Sequence, residues 1–246
     1  MRNKLVYVLC WFIPSRKMRH RLWDWAQRAQ YKNNIIEVVH PNGKRIRVKR
    51  VKGCKFTFTG DNNHIVLHKP LGKSQIKINV SWGVYAELYP STKYQRKINI
   101  IKTGGQHETN RIVIGRDLRT TDWTSILLAH GSGDVIIGDN CLFAVDVIFR
   151  TGDFHTIYCA NTGRVLNFNK SITIGNHVWI AERVILLKGA GVADNSIVGA
   201  RSLVNKKFDK TNIIIAGVPA KIVKEEINWD VCPPNQYAMN NNLQVD

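Results

Sequence analysis

Ile174, Ile180, Leu186, Val192, Val198 and Val204 recur as aliphatic residues at an unbroken spacing of six. Four residues after the first five of these stand Val178, Val184, Ala190, Ser196 and Ser202, all small or β-branched. One residue after them stand Gly175, Ala181, Leu187, Ala193 and Gly199, small except for Leu187. A strand alternates with a period of about 2 and a helix with about 3.6, so a period of six with two fixed inward positions predicts short strands joined by regular corners. Aliphatic side chains then stack in ladders along a prism whose narrow interior admits only small residues at the second inward position. A β-sandwich, with strands separated by variable turns, gives no reason for a fixed period.

The same phrase occurs earlier, at Ile137-Gly138-Asp139-Asn140-Cys141-Leu142, over residues 143–148, and at Ile114-Gly115-Arg116-Asp117-Leu118. Those copies are out of phase with the later run because irregular segments interrupt them. Upstream, Ile35–Val39, residues 45–51, residues 55–59, His64–His68, Gln75–Val80 and residues 97–101 are rich in strand formers and separated by Gly, Asn and Pro turns. They read as degenerate coils of the same body, with a turn-rich excursion near residues 103–110. The predicted organisation is an arm over residues 1–32, a β-helix over residues 33–225 with an interrupting loop at 150–171, and a tail over 226–246. From Pro233 onward no apolar period is present, which predicts a poorly ordered end.

The arm is of a different kind. Residues 5–13 are apolar but cover less than half of the roughly 20 residues a membrane-spanning helix needs. Pro14-Ser15-Arg16-Lys17 stands where an export signal would need small residues for cleavage. Met18, Leu22, Trp25, Ala26 and Ala29 then fall on one helical face, with Arg16, Lys17, Arg21, Arg28 and Lys32 mostly on others and Ser15 placed to cap the start. Such a helix fits either docking on an anionic membrane surface or packing its apolar stripe on protein.

Composition narrows the class. The chain has 246 residues, 44% apolar and 22% charged, which excludes collagen-like, low-complexity and wholly disordered proteins. The formal charge is +18, but residues 1–60 hold fifteen Lys and Arg against only Asp24 and Glu37. With the body close to neutral, a nucleic-acid channel through the fold is not expected. Cys10, Cys54, Cys141, Cys159 and Cys232 form no CxxC pair and no zinc spacing, so they read as reduced thiols of a cytoplasmic protein; docking by the arm would place it at the inner face of the cytoplasmic membrane.

On the hexads, the chain resembles the hexapeptide-repeat acyltransferases, whose resemblance implies an all-β left-handed parallel β-helix. The insertion Arg150-Thr151-Gly152-Asp153-Phe154-His155-Thr156-Ile157, with Asn167 and the hexad Ile174-Gly175-Asn176-His177-Val178-Trp179-Ile180 after it, is similar to the active-site segment of bacterial polysaccharide and sialic-acid O-acetyltransferases within that family. The resemblance implies that His155 is the catalytic base and that Trp179 borders the substrate site, with Asn167 matching as well; His177, at a free outward hexad position beside them, could bind substrate or be solvated. Ala181 departs from the usual Gly and is still small. An imidazole suits the task, because it can take a proton from a sugar hydroxyl near neutral pH as that oxygen attacks a thioester. Asp153 could orient His155 or shape the turn. A polar insertion leaving a rigid scaffold is also the usual way of presenting a functional loop.

Ala216-Gly217-Val218-Pro219-Ala220-Lys221 resembles the family's closing phrase. By that resemblance acetyl-CoA lies in a groove between the β-helices of a homotrimer, lined by Trp179, Gly199, Ala200, Ala216 and Gly217. Lys206, Lys207, Lys221 and Lys224 could meet its phosphates, and the acceptor is a carbohydrate. No metal is expected: His64 and His68 stand four apart in a strand rather than on a helix, and His130, His155 and His177 lack the spacing of the zinc-dependent branch. Cys159 reads as a packing thiol rather than a nucleophile. Two other readings fit less of the sequence: an N-acetyltransferase of an amino sugar nucleotide, and a non-catalytic β-helix with a basic arm for nucleic acid or membrane.

Overall fold

Three hexads make one turn of the chain. Ile174 pairs in parallel with Val192, Ile180 with Val198 and Leu186 with Val204, each three repeats further on. The computed structural model describes residues 15–19, 33–92, 94–104 and 108–243. Its body is a left-handed parallel β-helix with three faces. The chain runs from a first face (Asn110–Ile114, Val135–Ile137, Ile172–Ile174, Gly191–Val192) to a third (Arg119–Thr120, Leu142–Phe143, Trp179–Ile180, Ile197–Val198) and then to a second (Trp123–Leu128, Val147–Arg150, Ile185–Leu186, Leu203–Val204).

The inward positions are those the period marks. All six aliphatic residues of the main run are at most 3% exposed, and so are Val178, Val184, Ala190, Ser196 and Ser202 at the small positions. Serine is tolerated inside because each hydroxyl finds a carbonyl, Ser196 Oγ donating to Asp194 O at 3.1 Å and Ser202 Oγ to Gly199 O at 2.7 Å. The corners repeat too. His177, Arg183, Gly189, Asn195 and Arg201, again six apart, all have φ between 53° and 78°, because a corner this tight needs one left-handed residue. Along the first-to-third edge, Asp139 Oδ1 accepts from Arg116 N at 2.7 Å, Asn176 Oδ1 from Asp139 N at 2.8 Å and Asp194 Oδ1 from Asn176 N at 2.7 Å. That ladder occupies corner N–H groups that the strands leave unpaired.

The upstream segments are coils of the same prism with longer strands. Ile35–Val39, His64–His68 and Gln75–Val80 form where expected, whereas residues 45–51 shorten to Arg45–Arg47, an antiparallel cap on the first face. Val84–Leu88, which sequence reading passed over, is a further strand of the first face. The third face starts only at Arg119–Thr120; in earlier coils turns occupy its place.

At the arm, Arg19 N donates to Ser15 O at 3.0 Å and Met18 N to Ser15 Oγ at 3.4 Å, so Ser15 does cap a helical turn. The rest of the expected helix to residue 32, and the apolar run 5–13, lie outside the described residues. No helix among the described residues is long and apolar enough to cross a membrane. The tail corrects the expectation of disorder. Ile227 N donates to Asn212 O, Trp229 packs on His177, and Pro234–Asn240 is a helix with Ala238 buried. A few point anchors hold this segment, which is why it shows no apolar period.

Candidate active site

Between the second and first faces the prism carries excursions in successive coils, among them residues 129–134 and 151–171. The last is the insertion that holds His155. Its base is anchored by buried Thr151, whose Oγ1 accepts from Ala129 N at 3.0 Å, and by Asn169, whose amide donates to His130 O. Gly152 is required by that anchoring, since a Cβ there would lie 1.9 Å from Asn169 Oδ1 and 2.7 Å from Ala129 Cβ. Beyond it the loop folds into a small hairpin through the Tyr158–Val165 bridge, with Cys159 N donating to Arg164 O at 2.8 Å.

Asn167 is the hub. Its Nδ2 donates to Asp153 Oδ2 at 2.9 Å and to His155 O at 2.7 Å, while its Oδ1 accepts from Ile157 N at 2.7 Å. Lys188, from the next coil, donates to the same Asp153 oxygen and to Asn167 O at 3.1 Å. Hydrogen bonds from Lys188 and then Asn167 hold the Asp153 carboxyl below the usual carboxylate range. Among the described residues the Asp153 carboxylate thus reaches Lys188 and Asn167, and it acts on His155 through the backbone rather than through the imidazole. The His155 side chain is exposed. Sequence reading missed Lys188; it occupies an unconstrained hexad position, and only the coil-to-coil stacking brings it under the loop.

Trp179 lies on the third face, 36% exposed, paired with Leu142 and Ile197. His177 turns the preceding corner, and Trp229 covers it: the rings stack at 4.3 Å and 12°, and Trp229 Nε1 donates to His177 O at 2.8 Å. Trp229 stands 6.0 Å from Trp179, centroid to centroid. This aromatic cluster was not foreseen, because 52 residues separate Trp229 from its partner along the chain.

The expected coenzyme residues gather at the third-to-second edge. A Cβ on Gly199 would meet that of Ala216 at 2.9 Å; Gly217, with φ of 104°, and Ala200 are exposed; and Lys221 pairs with Ala216. Small residues there leave backbone accessible to a slender chain. Lys206 and Lys207 are elsewhere. Lys206 lies over the Phe208 ring and Lys207 pairs with Asp209 at 2.6 Å, on the opposite side of the prism. Within one copy, therefore, His155, the Trp179 cluster and the Gly199–Ala216 contact occupy different edges or faces.

Among the described residues the thiols take no part in this geometry. Burial pushes Cys141 up to about 12, and Thr162 lowers Cys159 at the hairpin turn by hydrogen bonding. Among the described residues no group of three or more His, Cys, Asp or Glu is placed to hold a metal ion.

The fold and the hexads define a hexapeptide-repeat protein of the left-handed β-helix class, and its likenesses run to acetyltransferases. It is 32% identical over 145 residues to the polysialic acid O-acetyltransferase of Escherichia coli O1:K1 / APEC, covering 59% of this chain and 44% of that protein. It is 42% identical over 111 residues to the polysialic acid O-acetyltransferase of Neisseria meningitidis, covering 45% of this chain and 52% of that one. The crystal structure of the polySia-specific acetyltransferase NeuO superposes with a TM-score of 0.53 at 25% identity, over 74% of each chain. The matched stretch spans about half the length of those two relatives. No family model matches the chain.

Proposed function

We propose that the protein is an acetyl-CoA-dependent O-acetyltransferase acting on a sugar hydroxyl of a bacterial surface polysaccharide. The observation that carries this reading is the Asp153–Asn167–Lys188 clasp, which holds the backbone of His155 and leaves its imidazole exposed on a rigid edge. Likeness to polysialic acid O-acetyltransferases supports the acceptor class. In the proposed reaction His155 accepts the hydroxyl proton while the oxygen attacks the thioester carbonyl. The C–S bond then breaks, and the thiolate takes the proton from the imidazolium. No acyl-enzyme is needed.

Gly199, Ala200, Ala216 and Gly217 would line the path of the pantetheine arm, with Lys221 near its phosphates, while Trp179 borders the acceptor. Because the base and this edge lie apart in one copy, a trimer in which neighbours share each site is part of the proposal. The basic arm, residues 1–32, would hold the assembly at the inner face of the cytoplasmic membrane. The test incubates purified protein with acetyl-CoA and panels of hydroxylated and amino acceptors. CoA release with hydroxylated sugars is expected, and release only with amines would replace the reading by N-acetylation.

A further inference from the structure

Where the third face is missing, the early coils leave space. The turns at residues 69–74, 89–92 and 94–96 stack on one another and on Arg119–Thr120, Ser91 N donating to Pro70 O and Thr120 N to Gln95 O, and a cleft of about 460 Å³ opens among Lys73, Thr92, Tyr94 and Arg119. A second cleft, about 260 Å³, continues from Tyr94 and Arg119 past Leu142 to His177 and Trp229. The two share Tyr94 and Arg119, so they adjoin at that pair as one run of clefts along the prism axis. From the coil of Lys73 to that of His177 it crosses four coil steps, a path of about 19 Å at the usual inter-strand spacing. Its far end adjoins Trp179 through Trp229.

The groove's chemistry is specific. Tyr94 and Trp229 offer flat amphipathic rings of the kind that sugar rings stack upon. The Arg119 guanidinium lies 5.0 Å from the Tyr94 ring centroid. Among the described residues, neither it nor Lys73 has a carboxylate partner within ion-pair distance. The two carboxylates beside the groove are turned to backbone donors: Asp117 Oδ1 accepts from Thr92 N at 3.0 Å, and Asp230 Oδ1 from Cys232 N at 2.8 Å. A guanidinium beside an aromatic ring, with no carboxylate partner among the described residues, suits a carboxylate on a sugar, which it can meet with two parallel hydrogen bonds.

We propose that this groove is a remote subsite for the unreacting units of an acidic glycan chain, with Tyr94 and Arg119 as its anchors and Lys73 at its outer end. Only what happens at the Trp179 end rests on the acetyltransferase reading. The groove makes the acceptor a chain rather than a monosaccharide, because contacts four coils away can be made only by a ligand long enough to reach them.

The test measures binding of sialic acid and galacturonic acid, each as monomer, linear trimer and hexamer, to the full chain by calorimetry. A hexamer of at least one series is expected to bind about tenfold or more tighter than its monomer. Arg119→Gln and Tyr94→Ala should each remove most of that gain. Lys73→Gln, at an exposed turn, provides a variant that keeps the fold if Tyr94→Ala does not. Equal binding of monomer and hexamer in both series, or hexamer binding untouched by Arg119→Gln and Lys73→Gln, overturns the proposal. Length-dependent binding without acetyl transfer from acetyl-CoA would leave the subsite standing and defeat the enzymatic reading alone.

Discussion

Replacing Asn167 tests whether the clasp positions His155. Asn167→Ala deletes three hydrogen bonds, to Asp153 Oδ2, His155 O and Ile157 N, all between 2.7 and 2.9 Å. An exposed hydrogen bond contributes at the low end of about 0.5–1.5 kcal/mol, so the loss is about 2 kcal/mol of loop order. At about 1.4 kcal/mol per factor of ten, the ordered loop becomes some 30-fold rarer relative to its open forms. The proposed kcat/KM for acetyl transfer should fall by up to that factor. The melting temperature should hardly move, because the loop lies outside the prism. Asn167→Asp is the sharper variant. It keeps the acceptor for Ile157 N but points oxygen instead of N–H at Asp153 Oδ2 and His155 O, so it should be worse than alanine although it is closer in shape. Steady-state turnover with acetyl-CoA, alongside thermal melting, reads both. If the two variants turn over within about twofold of wild type while His155→Ala is dead, Asn167 does not position the base.

Three further outcomes are expected. His155→Ala should lower turnover by about 100-fold or more with the fold intact, and near-normal turnover would remove it from the mechanism. Gly152→Ala should destabilise by about 1–3 kcal/mol in denaturant, since the added methyl overlaps Asn169 and Ala129 and the latter cannot swing away. An unchanged midpoint would mean that the loop base is free to move. Deleting residues 1–32 should reduce sedimentation with anionic vesicles and leave neutral vesicles unaffected; equal sedimentation of both forms would reject the arm as a membrane contact.

The hexads were legible because the prism has one structural solution per repeat: an aliphatic wall residue, a small interior residue and a left-handed corner. Ile174 to Val204 satisfy it without a break. The upstream coils were harder, since strands such as Gln75–Val80 and Lys97–Lys102 are six residues long and alternate in burial as ordinary strands do. Val84–Leu88 escaped because Ser81-Trp82-Gly83 and Tyr89-Pro90 around it read as turns. Asp153, His155 and Asn167 were recognisable because their loop resembles the active-site segment of polysaccharide O-acetyltransferases. Lys188 and Trp229 were not, because what makes them part of the site is stacking between coils and the return of the tail, which no local pattern encodes. Of the two roles open to Asp153, orienting His155 or shaping the turn, the geometry gives its carboxylate Lys188 and Asn167 as partners, and a full positive charge holds one carboxylate oxygen strongly.

The separation of the site residues over the prism gives its own prediction. His155 stands on the second-to-first edge, and Gly199 and Gly217 stand on the third-to-second edge of the same copy. Prism walls do not bend, so in the proposed enzyme the base of one copy must meet the coenzyme edge of another. Two inactive variants then complement each other. His155→Ala keeps a working edge, and Ala200→Trp fills the edge at an exposed position while keeping the base. Refolded together in equal amounts, a site works when the copy giving the loop carries His155 and the copy giving the edge carries Ala200. Random assembly puts about a quarter of sites in that state, so about a quarter of wild-type turnover should return. Mixing the folded variants without dissociation should give none. If co-refolded mixtures stay as inactive as either parent while remaining assembled, each copy houses its whole site, and the loop must cross to the third face in a form this fold does not adopt.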